Sequence, residues 1–135
     1  MANFVFTAEG RKVALNRLLK DTPDYTAPVF FKVGTGQDTP KTTDTDLTNP
    51  VVIDTDDVKE FVDGYPVMND TGFDATIRCF LETAEANGNT IDGIGVFNND
   101  ATKKAILLGK HLGIEKSEYN QVSYIIKVAI AEYDV

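Results

Sequence analysis

The sequence predicts a mainly β protein, an antiparallel β-sandwich with one N-terminal α-helix. Three observations lead there. Only one segment repeats its apolar residues at helical spacing, several later segments alternate in polarity, and turn residues separate those segments with no recurring helix between them. Strands without intervening helices pair antiparallel and close into a sandwich or small barrel. The 135 residues fit a single domain, 1–135, and 42% apolar residues supply a sizeable core.

The helix is expected over about residues 7–21. Val13, Ala14, Leu15, Leu18 and Leu19 recur at three- and four-residue steps and draw one apolar stripe. Thr7 is placed to cap its start, Glu9 suits the positive end of the helix dipole, and Lys20 suits the other end. Asp21-Thr22-Pro23 stops it. A helix this short is marginal alone, so its leucine face is expected to dock on something.

Val29 to Val33 is aromatic and β-branched between Pro28 and Gly34, and reads as a strand. A long Thr/Asp/Pro loop follows at about 34–57, with a short strand expected at 51–53. Loops of this length within a domain are functional or partly disordered. Residues 36–50 are therefore expected to be mobile until they meet a partner. Phe73 to Leu81 alternates, with Phe73, Ala75, Ile77, Cys79 and Leu81 inward and Asp74, Thr76 and Arg78 opposite. Gln121 to Tyr133 alternates for longest, with Val122, Tyr124, Ile126, Val128 and Ile130 inward. Ile125 on its other face predicts that parts of both faces are covered. Val58 to Val62, Ile91 to Phe97 and Ala105 to His111 are shorter strands, with turns at Gly88-Asn89 and Asn98-Asn99-Asp100.

Charge narrows the function. Thirteen Lys and Arg against 21 Asp and Glu give −8, which argues against nucleic acid and anionic membrane as partners. No apolar run approaches the roughly 20 residues of a membrane helix, and MANFVFTAEGRK does not read as a secretory leader. The expectation is a soluble protein made in a cytoplasm. One cysteine, Cys79, and one histidine, His111, leave no disulfide pair, no zinc site of the His- or Cys-rich kind and little prospect of a nucleophile–base pair. Cys79 reads as a small buried hydrophobe. Gly34-Thr35-Gly36 lacks the third glycine and the helix of a phosphate-binding turn. Asp44-Thr45-Asp46 opens like a calcium loop, but Asn49 and Thr55 occupy the sixth and twelfth positions, which excludes an EF-hand. No catalytic residue, cofactor or metal is expected.

In order along the chain stand TAEGRKVALNRLLKD, then VFFKVGTGQDTPKTTDTDLTNPV, then FDATIRCFL, ANGNTIDGIGVF, GIEKSEYN and QVSYIIKVAIAEYDV. This series resembles the N-terminal attachment domain of tail-fibre (tail-collar fibre) proteins of tailed bacteriophages, and small tail or collar proteins similar to it. The matching pattern runs "T-x-x-G-x-x" helix, strand into "G-x-G" and "D-T-x-L", central strand, "n-G-x-x-I-x-E-I-G-L-F", "I-x-K" and a terminal alternating strand. It covers nearly the whole chain. The chain departs from it at Gly93, where the pattern usually carries Glu, and Asp92 is the acid able to take that place.

The resemblance implies a non-enzymatic virion protein: a stand-alone tail, baseplate, neck or fibre-attachment subunit. It implies assembly as a homo-oligomer and with other phage structural proteins. Aromatic residues are enriched in interface hot spots, which makes Tyr25, Phe30, Phe61, Tyr65 and Tyr119 the candidate anchors. Two alternatives stand beside this reading: a capsid decoration or head-fibre base protein, and a small carbohydrate-binding module. The absence of Trp weighs against the second.

Overall fold

The computed structural model describes residues 3–129. Strand β1 (Asn3–Phe6), helix α1 (Ala8–Leu19) and strand β2 (Pro28–Gly34) lead into the long loop. Then follow β3 (Lys59–Glu60), β4 (Val67–Met68), β5 (Asp74–Leu81), β6 (Asn89–Asn98), β7 (Ala105–Lys116) and β8 (Val122–Ala129). They form two antiparallel sheets, ordered β1-β7-β6-β2-β3 and β4-β5-β8. The alternation read from the sequence places Ile77, Cys79, Leu81, Val122 and Ile126 of the small sheet against Phe31, Val33, Ile91, Ile94 and Val96 of the large one. Those residues are the centre of the main core, which Val13, Ile53, Phe61, Ala86, Ile106 and Leu107 complete. Ile130, expected to continue it, lies outside the described residues.

The long loop is a packed layer. In β2 the odd residues Phe31 and Val33 face the main core, while Lys32 turns to the other face. There Leu47 of the loop joins Phe97, Ala105 and Leu108 in a second apolar cluster, with Phe30 against it. Both faces of the large sheet are thus covered, which is why the last four residues of β2 are all buried. The loop runs back along β2: Thr35 N–H donates to the Asn49 carbonyl at 3.1 Å, and Val51 N–H to the Val33 carbonyl at 3.0 Å. The strand expected at 51–53 is not formed. Pairing is a single bridge between Gly34 and Pro50, after which the chain turns inward to bury Ile53. The Lys32 ammonium, 4.7 Å from the Phe97 ring centroid, holds Asp46 at 3.3 Å and Asp57 at 3.4 Å. At the loop's start, Asp92 accepts from the Gln37 N–H at 3.0 Å, and Gln37 Oε1 accepts from Thr48 N–H at 3.1 Å. A Cβ on Gly93 would stand 2.8 Å from that Oε1. The acid that meets the loop is thus Asp92, and the buried Gln37 side chain occupies the space beside Gly93.

The helix forms where expected but docks differently. The Thr7 hydroxyl accepts from Gly10 N–H at 2.8 Å and donates to the Ala105 carbonyl at 2.6 Å, so one buried side chain caps the helix and ties it to β7. Gly10 lies so close that a Cβ would meet the Ile106 carbonyl oxygen at 2.4 Å. This gives the T-x-x-G spacing its physical reason. Only Gly10 and Val13 of α1 are buried; Leu15, Leu18 and Leu19 are 60%, 75% and 73% exposed, so the leucine face does not dock. Phe73, placed inward by the alternation, precedes β5 and is exposed.

Candidate interaction surfaces

The five expected anchors fall in three environments. Phe61 is a core residue, so it is not an exposed anchor: β3 leads it inward, and its N–H donates to the Val29 carbonyl at 3.1 Å. Phe30 and Tyr65 are half-buried and, with Phe61, line one depression of about 330 Å³ edged by Glu60, Asp63 and Asn99. Tyr25 packs against the core and borders a groove of about 390 Å³ beside Leu15 and Leu19 of α1. Its carbonyl accepts from the Arg17 guanidinium at 2.7 Å, which holds the far end of the helix. Tyr119 stands apart in the β7–β8 turn, 88% exposed. A larger concavity of about 500 Å³ lies between the β3 and β5 margins, lined by Lys59, Phe61, Asp63, Phe80 and Glu82 among others. The Lys59 ammonium spans that margin, donating to the Phe80 carbonyl at 2.9 Å and to Glu85 at 2.6 Å.

The groups with chemical potential are engaged structurally. Cys79 is fully buried, and burial pushes its thiol up to about 12, so it stays protonated. Its cross-strand neighbour is Tyr124 on β8. The His111 ring lies 2.7 Å from the Leu112 carbonyl through Nδ1 and 2.8 Å from the Tyr124 hydroxyl through Nε2. That pair of partners assigns the proton to Nδ1, with Tyr124 donating to Nε2. Burial, and then the nearby Cys79 and Asp92, raise the Tyr124 phenol well above its ordinary range, which keeps it a donor. His111 and Tyr124 thereby tie β7 to β8 across the two sheets. In the loop, Asp44 accepts from Lys41 N–H at 2.9 Å and Asp46 and Asp57 neutralise Lys32. No group of three or more His, Cys, Asp or Glu among the described residues is arranged to hold a metal ion.

Residues that the aromatic criterion missed are the exposed aliphatic ones on strands. Ile125 of β8 is 70% exposed and Leu112 of β7 is 83% exposed, so the expectation that β8 is covered on both faces does not hold at Ile125. β8 is also an outermost strand: β5 pairs with it along its full length, and no described strand lies on its other side. The other outermost strands are short, so that Ile77–Leu81 of β5 and His111–Lys116 of β7 also run past them. β3 and β4 have two residues each and β1 four. Comparison with protein-family models, with curated proteins and with solved structures gave no match.

Proposed function

We propose that the chain is a non-enzymatic structural subunit of a tailed-bacteriophage virion, placed in the tail, baseplate, neck or fibre-attachment region. In that role it assembles with copies of itself and with other virion proteins. The observation that carries this reading is the order of motifs along the chain, which resembles that of fibre-attachment domains. Two of those motifs have mechanical work in this fold that makes their spacing intelligible. Thr7 and Gly10 of the T-x-x-G segment fasten α1 to β7, and Asp92 with Gln37 fastens the G-x-G loop to β6. The loop, the helix and the two sheets then form one stiff unit, which suits a part that transmits load.

The test is the composition of purified particles. Virions from an infected or induced culture carrying the gene are banded on a density gradient, digested and analysed by mass spectrometry, with antibody-gold labelling to place the subunit. The expected result is stoichiometric recovery of this chain with the other structural proteins and labelling at the tail or neck. Its absence from intact, infectious particles overturns the proposal, and labelling spread over the capsid favours the decoration role instead.

A further inference from the structure

We propose that β8 is a self-association edge. It pairs antiparallel with β8 of a second copy about a two-fold axis at Ile125, and joins the two small sheets into one sheet of order β4-β5-β8-β8-β5-β4. An outermost strand presents alternate N–H and C=O groups that only another extended backbone satisfies along its length. β8 offers eight residues of such edge, whereas β3 and β4 are cut to two and β3 consists of the charged pair Lys59–Glu60, the usual protection of a margin. The strand VSYIIKVA carries no acidic residue in a chain of net charge −8, so copies that repel elsewhere approach here without opposed carboxylates.

Side-chain alternation fixes where the axis falls. Two strands related by a two-fold axis perpendicular to the sheet set a residue opposite itself, because directly opposed side chains share a face. Centring on Lys127 would oppose two ammonium groups, and centring on Ile126 would leave Ile125 facing the Lys127 of the other copy. Centring on Ile125 sets Ile125 against Ile125, Ser123 against Lys127, Tyr124 against Ile126 and Val122 against Val128. Every opposed pair is then apolar or uncharged on one side, and the exposed Ile125 side chain is covered. The assignment names the self-assembling surface of the subunit proposed above and rests on that reading for its biological setting. Its test reads the mass of the purified chain, so it can fail while particle composition still supports a virion role, or the reverse.

The experiment uses the full chain in light scattering or sedimentation at physiological salt, with Ile125→Glu, Ile125→Lys and an equimolar mixture of the two. The expected result is a wild-type mass of twice 14.8 kDa at tens of micromolar, a halved mass for each variant alone, and the doubled mass restored in the mixture. The variants set like charges opposite each other, and the mixture sets unlike ones. A second measurement does not depend on the variants: hydrogen exchange of wild-type β8 amides on dilution. Alternate β8 amides should lose protection as the mass halves, while β5 amides keep theirs. A wild-type mass of 14.8 kDa at millimolar concentration, a doubled mass that survives in Ile125→Glu, a mixture that stays monomeric, or β8 protection independent of concentration would each overturn the assignment.

Discussion

Gly10→Ala should destabilise the protein even though the same change stabilises an ordinary helix. In an exposed helix interior, alanine for glycine gains roughly 0.5–1 kcal/mol through lost backbone freedom in the unfolded chain. Here the new Cβ would stand 2.4 Å from the Ile106 carbonyl oxygen and 2.9 Å from the Ile106 Cα, about 1 Å short of ordinary contact. Both are backbone atoms of β7, a strand held between β1 and β6, so α1 must retreat. Retreat stretches the 2.6 Å bond from the Thr7 hydroxyl to the Ala105 carbonyl and loosens Val13, which is 2% exposed. Weakening a buried hydrogen bond costs about 1–3 kcal/mol and crowding a packed contact about as much again, so the net loss is about 1–5 kcal/mol after the helix gain. Urea unfolding followed by circular dichroism measures it, with Ala14→Gly on the exposed side of α1 as control, expected to lose about 1 kcal/mol by propensity alone. A Gly10→Ala protein as stable as wild type or more so would refute the close docking of α1 on β7.

The loop, the acid side of stability and the thiol give three further tests. Asp92→Ala leaves the N–H of the buried Gln37 without its acceptor, at a cost of about 1–2 kcal/mol. Amide exchange across residues 36–50 should rise several-fold, and unchanged exchange would mean that this bond does not hold the loop. Burial raises the Asp100 carboxyl, but the N–H and hydroxyl of Thr26, the Asn98 amide and the Lys104 charge outweigh it and hold the group below its ordinary value of 3.8. A depressed folded-state value means stability that is present above about pH 4 and lost as pH falls through the folded value, since the unfolded chain takes up the proton first. Asp100→Asn should flatten that part of the acid limb in a pH series of thermal unfolding, and an unaltered slope would count against it. Cys79 should resist a thiol reagent such as dithionitrobenzoate in native protein and react at once in denaturant, because its thiol is fully buried and kept protonated. Rapid native labelling would contradict the core position.

What the sequence carried was local. Thr7 with Glu9 marked the start of α1, the alternation in β5 and β8 selected Ile77, Cys79, Leu81, Val122 and Ile126 for the core, and Asn98-Asn99-Asp100 marked the β6–β7 turn. Strand β1 was not legible, because four residues are too few for a period and its pairing with β7 joins segments about a hundred residues apart. The aromatic criterion chose Tyr119, which the fold leaves exposed, and Phe61, which it buries. It passed over Ile125, whose neighbours in sequence are equally apolar.

Periodicity tells which residues share a face, and turn chemistry tells where a segment stops. Neither says what lies against that face. The leucine stripe of α1 was visible along the chain, yet only the approach of Gly10 to β7 decided that Val13 would be covered and Leu15, Leu18 and Leu19 would not. The loop of 34–57 looked unstructured because its order comes from elsewhere: Lys32, Gln37 with Asp92, and the cluster around Leu47. Coverage is a property of chain segments that meet in space, so tertiary packing alone could settle it, and with it which strand was left with an open edge.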